Sequence, residues 1–315
     1  MKDLKVHYPI RGGFFNKVID HVYAVDGVSL IIEEGKTYGL VGESGSGKST
    51  IGKAIIGLEK IKSGKIIYEG KEIDGKFRNR RSEYNRNVQM IFQDSLSSLN
   101  PKKRVIDLIS EPLRNFENLT SDEEKRKVSE LLEIVGMNRE DIYKYPHEFS
   151  GGQRQRLGIA RAVATKPKLI IADEPVSALD LSVQAQVLNY MKDIQEQFGL
   201  SYLFISHDLG VVKHMCDYMF IMYRGRFVET GTKNDIYKNP EHFYTKRLIA
   251  AIPEVHPEKR LENKKRRIEI EKEYLKNEKK YYDENGRVFD LKKLTDTHFV
   301  AIKDEIMQNN GKGGK

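Results

Sequence analysis

The chain has 315 residues, 39% hydrophobic and 32% charged, with a formal net charge of +8. That length suits one large domain or a domain with appendages, and no run approaches the roughly 18 apolar residues of a membrane-spanning helix. The single cysteine, Cys216, excludes an internal disulfide or a cysteine-held cluster, and Met1-Lys2-Asp3-Leu4-Lys5 lacks the apolar core of a secretory signal, so a cytosolic location is the expectation.

In chain order, Leu4, Val6, Tyr8 and Ile10 alternate with Lys5, His7 and Pro9 and predict a strand, which Arg11-Gly12-Gly13 breaks. Residues Val22 to Ile32 read as a second strand region. Thr37 to Val41 is a third strand, leading into Gly42-Glu43-Ser44-Gly45-Ser46-Gly47-Lys48-Ser49-Thr50 and a helix over Ile51 to Leu58. This nine-residue stretch has the spacing of a phosphate-cradling loop in the strand–loop–helix setting that the motif needs. Its glycines let successive backbone N–H groups turn inward toward a polyphosphate, and the helix start adds its positive dipole end. Lys48 is placed to meet the β- and γ-phosphates and Ser49 to offer a hydroxyl to Mg²⁺. Short strands follow near Gly64–Tyr68 and Val88–Phe92. From about residue 95 to 148 helical spacing takes over, at Val105, Leu108 and Ile109 and again at Val128, Leu131, Leu132 and Val135. Thr120 to Glu124 predicts a capped helix start and Gly136 a stop.

Beyond Phe149, Ser150-Gly151-Gly152-Gln153 opens a helix running to Thr165. The Ser-Gly-Gly there reads either as a simple N-cap or as a second anion site, with the nucleotide held between two subunits. Leu169-Ile170-Ile171-Ala172 is a buried strand ending in Asp173-Glu174. In open α/β sheets ligands bind at that strand end. Asp173 is the candidate for Mg²⁺ and Glu174 for polarising the attacking water. A helix over Ser182–Phe198, a strand over Tyr202–Ile205, a helix at Val211–Cys216 and a hairpin over Met219–Thr230 complete an alternating pattern. Strands alternating with helices predict an α/β fold with a parallel sheet covered on both faces. After Pro257 the composition turns highly charged, with a candidate helix over Glu258–Lys280, a patch at Thr297–Val300 and a terminal Gly/Lys run. The domain expectation is therefore a core over 1–256 and a separable extension over 257–315, dispensable for hydrolysis and suited to holding a partner or lying near anionic lipid.

The ordered set of phosphate loop, Gln93, Phe149-Ser150-Gly151-Gly152-Gln153, Asp173-Glu174, Ser177-Ala178-Leu179-Asp180 and His207 resembles the ATPase subunits of ABC transporters over residues 4 to 235. The resemblance implies a phosphate-loop NTPase core with an antiparallel N-terminal β subdomain, a helical insertion and a head-to-tail ATP sandwich. The phosphate loop of one subunit would face the Ser150–Gln153 signature of the other. Gln93 would touch Mg²⁺ and the attacking water, Ser177 and Asp180 would communicate across the dimer, and His207 would contact the γ-phosphate. An aromatic residue of the N-terminal region would stack on adenine: Tyr8 is the candidate, with Tyr23, Phe14 and Phe15 as alternatives. Phe149 stands where the family usually has Leu.

Gln89 to Asp94, Ser97 to Pro101 and Pro240 to Leu248 are similar to the oligopeptide/dipeptide permease ATPases, and the chain looks more like their F-type subunit. Phe243 replaces the proline of the usual His-Pro-Tyr-Thr. This subfamily implies a partner ATPase in a heterodimer, two transmembrane permease subunits, an extracytoplasmic peptide-binding protein, ATP and Mg²⁺, and work at the cytoplasmic face of the membrane. One cysteine cannot hold the iron–sulfur cluster of some members. The alternative is a non-transport ABC ATPase acting on nucleic acid or ribosomes, which would use the positive charge. Its translation-type members carry two cassettes, and its repair-type members a long coiled coil. A regulatory ABC protein with a ligand-sensing tail is a third class.

Overall fold

The computed structural model describes residues 1–13, 16–73, 82–94, 98–252, 260–277 and 280–303. Strand β1 (Lys2–Gly12) pairs antiparallel with β2 (Lys17–Val28), from Leu4↔Val28 out to Gly12↔Lys17. The expected break at residues 11–13 is thus a hairpin turn, closed by the Asn16 N–H on the Gly13 carbonyl at 3.2 Å. Residues 17–20 continue the ladder, and Ile31, read as strand, is exposed. Local alternation missed this because the outer half of the hairpin has no buried face: Val18, Ile19 and Val22 are all exposed.

On the inner half, Leu4, Val6, Val25 and Val28 are buried in one apolar cluster with Ile51, Ala54 and Ile55 of the helix Lys48–Ile55. That helix begins three residues earlier than the apolar spacing suggested, because Gly47 supplies the left-handed N-cap. β4 (Ser63–Lys65) joins the other edge of β1, and β5 (Ile67–Tyr68) with β6 (Lys71–Glu72) makes a small hairpin.

The main sheet is built from β3 (Thr37–Val41), β7 (Val88–Ile91), β8 (Leu169–Asp173), β9 (Ser201–Ser206), β10 (Tyr218–Tyr223), β11 (Arg226–Thr232), β12 (Leu291–Lys293) and β13 (Phe299–Ala301). Its order is β12-β13-β11-β10-β3-β9-β8-β7. The five strands from β10 to β7 run parallel and the other three antiparallel. Parallel pairing follows from the helices between strands, and burial on both faces explains the unbroken apolar runs of β3, β8 and β9. At Gly39 of β3 a side chain has no room: a Cβ would lie 2.7 Å from Val212 Cγ1 and 3.0 Å from Cys216 Sγ. Cys216 itself is buried, and burial pushes its thiol pKa well up.

Helices Val105–Phe116 and Ser121–Ile134 lie in the helical stretch expected from about 95 to 148, of which residues 95–97 are outside the described set, and they pack on the helix Gly151–Val163. Thr120 and Glu123 make a capping box. Gly136, at φ +67, ends the second helix, and a Cβ there would overlap Tyr190 Oη at 2.0 Å. Leu108, Ile109, Leu113, Val128 and Leu132 form its buried centre, continuous with Leu157 and the main core.

The expected boundary between residues 256 and 257 lies outside the described residues, and the chain beyond it returns to the core. β13 pairs with β11 through Glu229↔Val300 and Thr230↔Phe299, so residues 291–301 extend the main sheet. A buried ion pair fastens them: His298 Nε2 lies 2.7 Å from Glu229 Oε1, with both side chains almost fully enclosed. The Glu229 carboxylate also accepts from the N–H groups of Glu241 and His242. The charged helix spans Arg260–Asn277. It docks by stacking Tyr274 on Phe243, centroids 4.0 Å apart, and by pairing Glu271 with Arg247 at 3.2 Å. The terminal Gly/Lys run lies outside the described residues.

The bond to Glu229 raises the His298 pKa above the ordinary value, against the desolvation that lowers it. A raised basic pKa gives stability that is complete below the unfolded value and lost as pH rises through the folded one. The melting-temperature difference between the wild type and His298→Gln should therefore shrink as pH rises from below the ordinary imidazole range through the raised folded value. A pH-independent difference in thermal denaturation scans would contradict this role.

Candidate functional site

The C-terminal ends of β3, β8 and β9, with the residues following β7, meet along one edge of the sheet. A cavity of about 1340 Å³ opens there. Its floor is the phosphate loop, where two glycines are dictated by close approach. A Cβ on Gly42 would lie 2.2 Å from the Met222 carbonyl oxygen, and one on Gly47, at φ +108, 2.0 Å from that of Ala24. Ser44, Gly45, Gly47, Lys48, Ser49 and Thr50 line the cavity. Ser46 is buried behind the loop and its carbonyl accepts from the Gly225 N–H, which ties the loop to the β10–β11 turn.

Lys48 Nζ donates to the carbonyls of Gly42 (2.7 Å) and Glu43 (2.8 Å), which holds the ammonium over the loop. Burial lowers its pKa, while Glu174, Asp173 and Glu43 oppose that shift. Ser49 Oγ donates to Asp173 Oδ1 at 2.8 Å. Burial raises the Asp173 pKa, and the Ser49 bond opposes it. A serine hydroxyl and a carboxylate side by side, with the amide of Gln93 on the same cavity, form an all-oxygen set suited to a hard divalent cation such as Mg²⁺.

Glu174 is the hub. Gln93 Nε2 donates to its Oε2 at 2.8 Å, and His207 Nδ1 lies 3.0 Å from its Oε1. Its backbone sits at φ +45, the left-handed region that non-glycine residues avoid, and its N–H donates to the Ile205 carbonyl at 2.9 Å. Asp173 and Glu174 therefore point apart, one toward Ser49 and the other toward Gln93 and His207. The fold thus brings together Lys48, Ser49, Gln93, Asp173, Glu174 and His207.

It does not bring in Ser150, Gly151, Gly152 or Gln153, which do not line this cavity. Ser150 caps the helix Gly151–Val163, its Oγ accepting from the Gln153 N–H, with Gln153 Oε1 accepting from the Ser150 N–H. Ser150 and Gly151 are exposed, while a Cβ on Gly152 would lie 2.5 Å from Val183 Cγ1. Ser177 and Asp180 are exposed as well, beside Leu181 at 84% exposure.

Tyr8 shares the strand face of Leu4 and Val6 and does not itself line the cavity, while its hydroxyl meets Glu59 and Thr50, the latter a residue of the cavity wall. Strand alternation turns His7 to the cavity, where it meets Tyr23 edge to face at 4.6 Å. Tyr23 was an alternative on sequence; Phe14 and Phe15 lie outside the described residues.

Sequence reasoning missed three contributions. Arg224, Arg226 and Asp26 line the cavity from the β10–β11 turn and β2, and Asn285, Gly286 and Arg287 reach it from the C-terminal segment. Buried Tyr244 accepts from the Glu43 N–H at 2.8 Å, so it braces the phosphate loop. Tyr244 lies inside the Pro240–Leu248 stretch, and that was the available signal.

A family model described as "ABC transporter" matches residues 25–177, and one described as "Oligopeptide/dipeptide transporter, C-terminal region" matches 228–284. The chain is 57% identical over 302 residues to the oligopeptide transport ATP-binding protein OppF of Lactococcus lactis subsp. lactis (strain IL1403), covering 96% of this chain and 95% of that one. It is 46% identical over 263 residues to the dipeptide transport ATP-binding protein DppF of Escherichia coli (strain K12), covering 84% and 78%. Among solved structures it resembles a dimeric post-hydrolysis state of the ATP-binding cassette MJ0796 bound to ADP and Pi, with TM-score 0.64 and 25% identity over 74% of this chain and 97% of that one.

Tyr244→Phe should leave the Glu43 N–H without its acceptor at a cost of about 1 kcal/mol and weaken polyphosphate binding several-fold. Calorimetric titration beside a melting curve checks both; unchanged affinity would remove Tyr244 from the loop's support.

Proposed function

The chain belongs to the ABC transporter ATPases, among the ATP-binding subunits of oligopeptide and dipeptide transporters, and from that membership we propose that it is the ATP-hydrolysing motor of a peptide importer. It would work head to tail with a partner ATPase, below two permease subunits and an extracytoplasmic peptide-binding protein, at the cytoplasmic face of the membrane. The observation that carries the chemistry is the Gln93–Glu174–His207 network set beside Lys48 and Ser49.

In this reading the phosphate-loop N–H groups and Lys48 bind the β- and γ-phosphates. Ser49, Asp173 and Gln93 are the residues that would hold Mg²⁺, which would supply positive charge to offset that on the phosphate oxygens. Glu174, already a hydrogen-bond acceptor from Gln93, takes the proton of the attacking water. His207 orients Glu174 and faces the γ-phosphate. The nucleoside lies toward His7 and Tyr23. The outward-facing Ser150 and Gly151, which serve no purpose in their own cavity, cover the partner's phosphates, and Asp180 meets the partner loop.

The helical subdomain is the proposed seat of the permease. A cavity of about 410 Å³ lies where it meets β7, lined by Phe92, Leu99, Pro112, Phe116, Gly158 and Ala162 among others. Its floor adjoins Gln93, so closure around ATP shifts the same wall that a permease helix would touch.

Two outcomes are expected. Glu174→Gln keeps the shape and removes the base, so ATP still binds, hydrolysis collapses and the sandwich with the partner accumulates; single-turnover rates like the wild type would reject Glu174 as base. On assembly with the membrane subunits, amide exchange should slow around residues 98–116 and 155–162, and protection confined elsewhere would move the docking site.

A further inference from the structure

The phosphate loop accounts for one end of the large cavity. The other end is lined by His7, Tyr23 and Arg226 together with Asn285, Gly286 and Arg287 of the C-terminal segment. Those last three sit on a turn that the fold holds firmly. At its base Tyr282 and Val288 form an antiparallel bridge, and both are buried. Tyr282 packs against Tyr223 with ring centroids 5.7 Å apart. Above that anchor the Asp283 carboxylate accepts from the N–H groups of Asn285 (2.9 Å) and Arg287 (2.8 Å). The Asp283 N–H donates to the Arg287 carbonyl at 2.9 Å. Gly286, at φ +71, passes so close to Arg224 that a Cβ would lie 3.2 Å from its Nη1.

The turn is also fixed from the cavity side. Arg287 Nη2 donates to Asp26 Oδ2 at 2.7 Å, and Arg226 Nη1 to the same oxygen at 3.4 Å. His7 Nε2 lies 3.7 Å from the other Asp26 oxygen. One carboxylate thus sets two guanidiniums at one end of the cavity, next to the His7 and Tyr23 rings. The Arg287 side chain remains 54% exposed there, and among the described residues its side-chain hydrogen bond is to Asp26, which leaves N–H groups to meet a ligand. Planar cations and aromatic rings gathered at one end suit a flat, electron-rich base and its sugar hydroxyls.

Resting on the reading of this cavity as an ATP site, we propose that the C-terminal turn Asp283–Arg287 is part of that site, with Arg287 contacting the nucleoside while the phosphate loop holds the phosphates. ATP then bridges residues separated by most of the chain, and the C-terminal strands belong to the nucleotide-binding unit instead of an accessory tail.

The test uses the full chain and two ligands, MgADP and inorganic tripolyphosphate, in equilibrium titrations. Arg287→Ala should weaken MgADP about tenfold, the loss of one charge-assisted contact, and leave tripolyphosphate unchanged. In the wild type, MgADP should slow amide exchange at residues 283–288 while tripolyphosphate does not. Should the variant not fold, the exchange experiment on the wild type decides alone. Unchanged MgADP affinity, an equal loss for both ligands, or amides indifferent to MgADP would overturn the proposal. Lys48→Ala serves as the separate control: it should lose both ligands, and if it keeps both, the ATP reading fails, whatever Arg287 does.

Discussion

The two carboxylate oxygens of Glu174 set the geometry on which this site depends. One accepts from Gln93 and the other faces His207, so the residues after β7, β8 and β9 are tied through a single side chain. Only parallel neighbouring strands deliver three C-terminal ends to one edge in this way. The backbone cost is visible in the left-handed conformation of Glu174, of order 1–3 kcal/mol for a non-glycine residue, and the bond from its N–H to Ile205 helps to hold it. That twist turns the adjacent acids to different partners, Asp173 to Ser49 and Glu174 to Gln93 and His207.

The same architecture sets the phosphate loop and the Ser150 helix start on two different surfaces. The phosphate loop is recessed and braced by Tyr244 from behind and by the β10–β11 turn from the side. Ser150 and Gly151 lie outside it, on a helix start whose side-chain cap is already made. Ser150 is therefore both the ordinary N-cap that its sequence describes and a rigid, outward-pointing group. The two readings of Ser-Gly-Gly are not rivals, because the cap uses the Ser150 oxygen as an acceptor and leaves the first helical N–H groups exposed.

Much of the site was legible because it is local. The phosphate loop, the Leu169–Glu174 strand end and the Thr120 cap are each written within a few consecutive residues, and their chemistry follows from spacing alone. What escaped depends on pairing across the chain. Seeing that His7 turns to the cavity requires knowing which face of β1 meets the helix, and a strand's alternation gives two faces without saying which is inward. The Arg287–Asp26 bond spans 261 positions, and β13 is a three-residue strand that acquires its meaning from β11. The charge of residues 258–280 reads as a solvated helix, and the aromatic Tyr274 that docks it gives no periodic signal of its own.

The burial of Cys216 beneath the helix Leu209–Met215, against Gly39, gives the chain a practical property. Its one sulfhydryl is shielded from thiol-directed reagents while that helix stays on the sheet. Cysteines introduced at exposed positions such as Ser177 or Leu181 can then carry spectroscopic labels in the otherwise unaltered sequence. Labelling of Cys216 itself would signal something else, the lifting of that helix away from the parallel strands.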